Sequence, residues 1–281
     1  MNEKKQTNSQ VKSIAVATII FLSLALITAI IFLTIQANTN AKLQKEVQAC
    51  QQSSEELEAK VEKLEDQLTD NTNKNSSGAI DFSNYNPAKI IDLDTNNGFI
   101  GDHVRGKKDA KVIVVEYADM SCPGCAAMMP HMSKIYQEYG DKVAFVFRHY
   151  PLKDHVNSRP AAAAVESAAM QGYFWEMIEA TFANRSDWLF EKDDARTNAL
   201  VNIFKKIAPT GDVAKFRNNM SDAKIEKKIN FDYNLGKQKS GVTATPSIYV
   251  NGTLVDIMKE DATLESVAED IRTMIKAELA K

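Results

Sequence analysis

Val112-Ile113-Val114-Val115-Glu116-Tyr117-Ala118-Asp119-Met120-Ser121-Cys122-Pro123-Gly124-Cys125 is the stretch that decides the fold. Its β-branched apolar start reads as a strand buried on both faces. The strand runs into a Cys-Pro-Gly-Cys motif, and the spacing predicts a helix from there to about Tyr139, stopped by Gly140. Val143-Ala144-Phe145-Val146-Phe147 reads as the next strand. Strand, helix and strand in that order imply a parallel pair joined by a right-handed crossover.

Downstream, residues from about 155 to 236 read as almost wholly helical, beginning with AAAAVESAAMQGYFWEMIEATF and continuing through NALVNIFKKIA. Pro246-Ser247-Ile248-Tyr249-Val250 then reads as a strand, and Asn251-Gly252 as a tight turn into Thr253-Leu254-Val255. Thr263 to Ala280 closes the chain as a helix. The expected head, residues 89–281, is thus an α/β domain: βαβ, a helical insertion, a ββ hairpin and a last helix.

Upstream the reading changes. Residues 14–35, IAVATIIFLSLALITAIIFLTI, have only Ser and Thr as polar interruptions. At 1.5 Å per residue they span a hydrocarbon core of about 30 Å. Lys4, Lys5 and Lys12 precede this run, and the first cation beyond it is Lys42. The positive-inside rule then makes residues 1–13 cytoplasmic and everything after the span extracytoplasmic, a single-pass cell-membrane arrangement. A cleaved signal peptide is disfavoured, because its apolar region is usually shorter and Thr39-Asn40-Ala41 is a weak cleavage site. Val47-Gln48-Ala49-Cys50 is a poor lipoprotein box, too far from the apolar run.

Residues 41–68 carry a heptad, with Val47, Ser54, Val61 and Leu68 at a and Leu43, Cys50, Leu57 and Leu64 at d. Val at a with Leu at d suits a parallel two-stranded coiled coil, so a homodimer through residues 43–68 and a single solvated helix both stay open. In the dimer the two copies of Cys50 face each other and can form an interchain disulfide; otherwise Cys50 is a small buried hydrophobe. Residues 69–88, rich in Asn, Ser, Asp and Gly, read as a flexible linker.

The 281 residues carry a net charge of −3 with no cluster of Lys and Arg, which argues against a nucleic-acid partner. Of three cysteines, two form the CxxC, so the usage points to redox chemistry or metal binding, not to stapling. Zinc wants four ligands, and there is no second CxxC or His pair; His131, His149 and His155 are scattered. No metal or other cofactor is expected beyond a redox-active Cys122–Cys125 disulfide. At a strand-to-helix junction the helix end stabilises a Cys122 thiolate. Pro123 in the first turn sacrifices no helix bond. Cys125, one turn on and more buried, is placed to resolve a mixed disulfide. A static structural disulfide is the competing reading. Met120, Met128, Met129 and Met132 read as core packing, with an adaptable peptide surface as the alternative.

VIVVEYADMSCPGC, FRHYPL, AAAAVESAAMQGYFWEM and GVTATPSIYVNG, in that order, resemble the DsbA-like branch of the thioredoxin superfamily, including the membrane-tethered forms of Gram-positive bacteria. That resemblance implies a thioredoxin fold with an inserted helical subdomain. It implies that Glu116 is a buried acid relaying a proton for Cys125, and that Thr245-Pro246 is a cis-proline loop against the CxxC offering backbone hydrogen bonds to substrate. It also implies Pro130 as a helix kink. Two departures bear on redox direction: the dipeptide Pro123-Gly124 stands where the best-known periplasmic oxidase has Pro-His, and Thr245 differs from the residue typical of strong oxidases.

The implied function is formation of disulfides in exported proteins by a dithiol oxidase, regenerated by a quinone-linked membrane partner. A reductase or isomerase of the same fold is the first alternative. A coiled-coil-mounted binding or scaffold protein with a structural CxxC is the second.

Overall fold

The computed structural model describes residues 80–92 and 100–281, together with residues 36, 42, 44, 45, 47–49, 51–53, 56 and 60. The apolar run 14–35, Cys50 and residues 69–79 of the expected linker lie outside the described residues. Described positions between Lys42 and Lys60 are helical and exposed. Among the described residues no helix is long and apolar enough to cross a membrane.

The chain divides into two units, Met1–Ile80 and Asp81–Lys281. The second begins ahead of residue 89, where the sequence placed the head. The Asp81 carboxylate accepts from Ser83 N–H and caps a short 3-10 turn, Phe82–Asn84. The rings of Phe82 and Tyr85 pack on Phe231 with centroids 5.3 and 5.0 Å away. Two aromatic anchors are enough to dock a stretch whose Asn- and Ser-rich composition reads as linker.

One sheet runs through the head in the order β1-β3-β2-β4-β5. Its strands are β1 (Val104–Gly106), β2 (Val112–Ala118), β3 (Val143–His149), β4 (Ser247–Val250) and β5 (Thr253–Leu254). β2 and β3 are parallel, with Val112 beside Val143; the other neighbours are antiparallel. Asn251 and Gly252, both at positive φ, make the β4–β5 turn as their residue types predict. β1 left no trace in the sequence pattern because three partly exposed residues are too few to show a period.

α1 (Pro123–Tyr139) joins β2 to β3, and Pro130 lies inside it. It stops at Gly140, but in right-handed backbone, not the left-handed conformation that usually ends a helix at glycine. The glycine is needed for space, since a Cβ there would lie 2.7 Å from the Tyr136 carbonyl oxygen. The insertion between β3 and β4 comprises α2 (Ser158–Ala169), α3 (Phe174–Ala183), α4 (Asp193–Ile207), α5 (Val213–Asn219) and α6 (Ala223–Leu235). α7 (Leu264–Leu279) begins with a capping box between Thr263 and Ser266 and packs beside α1.

β2 is buried throughout, so its two faces serve two cores. Val112, Val114 and Ala118 join the larger cluster with α1, α7 and the insertion, while Ile113, Val115 and Tyr117 join the smaller one on the other face. The pleat therefore turns Glu116 toward the larger cluster, which also contains Cys122 and Cys125. Met120, Met128, Met129 and Met132 are all buried in it, so they pack the core and form no peptide surface.

Candidate active site

Cys122 caps α1 in extended backbone, with Pro123 in the first turn. Its N–H donates to the Asp119 carbonyl at 3.0 Å, which turns the chain from strand into helix. Both cysteines of the motif are thiols; Cys122 keeps 6 % of its surface, and Cys125 none.

That asymmetry extends to their protonation. The Cys122 thiol is lowered to about 5, first by the hydrogen bond from Cys125. Burial opposes this, while the Thr245 side chain and the main-chain groups of Cys125 and Gly124 reinforce it. Cys125 is pushed well above the ordinary thiol range, first by burial and then by its position beside Cys122. One sulfur is held as the thiolate and its neighbour as the proton donor.

The Thr245–Pro246 bond is cis, and the Cys122 sulfur lies 3.3 Å from the Thr245 carbonyl oxygen, to which it donates when protonated. The Thr245 hydroxyl is buried, and among the described residues only the Cys122 sulfur is left for it to meet. Gly124 faces the same loop: a Cβ on it would stand 3.4 Å from Pro246 Cδ and 3.7 Å from the Cys122 sulfur. A larger residue at this position would crowd the space between the motif and the loop.

Glu116 is buried, and burial raises its carboxyl to about 7, against the pull of its one hydrogen bond. Tyr136 supplies that bond from α1, donating to Oε2 at 3.3 Å, while Oε1 has no partner among the described residues. The acid also bears on Cys125, raising its thiol further. Sequence reasoning picked out Glu116 but missed Tyr136, whose only signal is its place on the inward face of α1.

The structure thus brings Cys122, Cys125, Pro123, Gly124, Glu116, Thr245 and Pro246 to one end of the sheet. Among the described residues no three His, Cys, Asp or Glu side chains are grouped to hold a metal ion. The scattered histidines have other occupations: His149 bonds Glu166 at 3.2 Å, His155 bonds Asp119 at 2.8 Å, and His131 pairs with Glu265 at 3.3 Å.

A thioredoxin-type sheet, a helix opened by a lopsided dithiol and a cis-proline loop across it define the class of DsbA-like proteins, whose chemistry is thiol–disulfide exchange. The comparisons agree. A family model described as Thioredoxin matches residues 99–270, and the chain belongs to that family. Among solved structures, BdbD from Bacillus subtilis in its oxidised form is 26% identical with a TM-score of 0.54, covering 64% of this chain and 94% of its own. Wolbachia pipientis α-DsbA1, at 23% identity and a TM-score of 0.50, covers 64% of this chain and 93% of its own, a likeness of fold. Among curated proteins, a Na(+)/H(+) antiporter NhaA 3 from Salinispora tropica is 36% identical over 164 residues, 58% of this chain and 24% of that protein. The chain thus spans about a quarter of the length of such relatives.

Proposed function

We propose that the protein is an extracytoplasmic dithiol oxidase that passes the Cys122–Cys125 disulfide to exported proteins with free cysteines. A substrate thiolate attacks the Cys122 sulfur, the Cys122–Cys125 bond breaks, and Cys125 leaves with the electron pair. Glu116, protonated near neutral pH, hands its proton to the departing Cys125 sulfur. The second substrate thiolate then attacks the substrate sulfur of the mixed disulfide and expels Cys122 as a thiolate. The substrate has lost two electrons, and the protein holds them as the dithiol. A quinone-linked membrane partner removes them and restores the disulfide.

The observation that carries the direction is the low-lying Cys122 thiolate. It stabilises the reduced form and so makes the disulfide more oxidising. With the thiol near 5, the effect at pH 7 is about 60 mV relative to a thiol that titrates at 7 or above. The backbone of Thr245 beside cis-Pro246 offers strand-like hydrogen bonds to an extended substrate chain around its cysteine.

The apolar run 14–35 and its lysine-bearing flank support an anchor with the N-terminus in the cytoplasm, which keeps the head near emerging chains and a membrane partner. Residues 41–68 would hold the head off the bilayer as a stalk, parallel and dimeric if Cys50 cross-links. Cys125→Ala in the full chain tests the function. It should accumulate mixed disulfides between Cys122 and exported proteins, released by reductant. A variant that traps none, with Cys122→Ser leaving the cell's disulfide formation intact, contradicts the proposal and favours a binding protein with a structural CxxC.

A further inference from the structure

Asp119 sits between the strand that carries Glu116 and the motif that carries the two cysteines, and its side chain is wholly buried. Each carboxylate oxygen takes two donors. Oδ1 accepts from Ser121 N–H at 2.6 Å and from the Ser158 hydroxyl in a very short bond. Oδ2 accepts from Leu152 N–H at 2.7 Å and from His155 Nδ1 at 2.8 Å. An ionised carboxylate only accepts, so all four groups must be donors, and His155 carries its proton on Nδ1.

Three of those donors belong to the segment from Leu152 to Ser158, which leads from β3 into the insertion. The main chain of Asp119 meets the motif itself. Its carbonyl accepts from Cys122 N–H, and a further main-chain bond from Asp119 reaches Cys125, where it favours the thiolate. A second tie runs alongside: Arg185, in the 3-10 turn just after α3, donates to the Ser121 carbonyl at 2.5 Å. The backbone that meets the Cys122 amide and the Cys125 sulfur is therefore fastened to the helical insertion through the buried Asp119 side chain, with Arg185 as a second tie.

We propose that Asp119 is a positioning residue for thiol–disulfide exchange: its four-donor clamp on Ser121, Leu152, His155 and Ser158 holds the backbone groups that face Cys122 and Cys125. His155 is the clamp's partly exposed member. The inference rests on Cys122 being the reactive thiol but not on the direction of electron flow. It also separates position from charge. A negative charge near a thiolate opposes it, so charge removal alone would make Cys122 more acidic. Loss of the clamp makes it less acidic, because the main-chain donors drift.

The test follows the pH dependence of iodoacetamide alkylation in the reduced, full-length protein. Asp119→Asn keeps the shape but turns one oxygen into an amide N–H₂ facing two donors. It should move the Cys122 half-point upward by about one pH unit, a tenfold loss of thiolate below that point. His155→Leu and Ser158→Ala each remove one donor and, in the folded protein, should move it the same way by about half as much. If Asp119→Asn does not fold, those two variants carry the test. Half-points that stay put or fall in every folded variant overturn the inference. If Cys122 of the unsubstituted protein is not alkylated in preference to Cys125, it is the proposed function that fails instead.

Discussion

Two buried polar regions flank the sheet, and they treat charge in opposite ways. Where β3 meets α6 and the segment before β1, every charge is answered. The Arg148 guanidinium grips Asp102 through two nitrogens at 2.7 and 3.2 Å and also donates to the carbonyls of Pro87 and Lys89. Lys228 lies 2.7 Å from Asp232 and 3.3 Å from Asp102. Glu166 lies between His103 and His149, which hold its carboxyl well below the usual range against the opposing effect of burial. At the motif end, equally deep, Glu116 has one weak partner and is lifted to about 7. The satisfied network fixes structure. The unsatisfied acid can change its protonation near neutral pH, which is what a proton carrier needs.

The contrast can be broken most sharply at the sulfurs. Cys122→Ser should abolish exchange altogether, while the reduced protein keeps its fold, as circular dichroism would show. Substitution in the network should do the reverse. Arg148→Met leaves Asp102 buried beside a single remaining cation and should destabilise the head by about 3–5 kcal/mol in urea unfolding. The alkylation profile of Cys122 should not move. A variant that unfolds at the wild-type urea concentration, or shifts Cys122, would mean that the two regions are not separable.

Glu116→Gln sharpens the comparison by pH. In the unfolded chain this carboxyl ionises near 4.5 and in the folded protein near 7, so between those values the folded state binds the extra proton. Stability should then fall as pH rises through that window and level off above it, a loss of up to about 3 kcal/mol. In the Gln variant the slope should vanish. The measurement belongs on the disulfide form, where neither sulfur titrates. The smallest effect is expected from Tyr136→Phe. Without its hydroxyl the Glu116 carboxyl should titrate higher still, at a stability change of about 1 kcal/mol.

These contrasts were unequally visible in the sequence. The apolar run 112–118 announced a strand buried on both sides, so a lone Glu at its centre was legible as a buried acid. The CxxC, the parallel crossover and the Asn251-Gly252 turn follow from local pattern and turn chemistry in the same way. Asp102, Arg148, Lys228 and Asp232 were not legible as a network. Pairings such as Arg148 with Asp102 or Lys228 with Asp102 cross long stretches of chain and leave no periodic signal. Asp119 left no signal of its own, because its four donors come from Ser121 and from a segment more than thirty residues on. The docking of residues 81–88 was hidden by composition, since two rings among Asn and Ser decide it.

The central claim is that this dithiol gives up electrons with difficulty once reduced, so that its disulfide oxidises others. Equilibrating the Cys122–Cys125 pair against glutathione buffers at pH 7 and reading the fraction reduced measures this directly. A potential nearer −120 mV, the level of a strong protein oxidant, is the predicted result. A value near −270 mV, the level of a thioredoxin-like reductase, would contradict it.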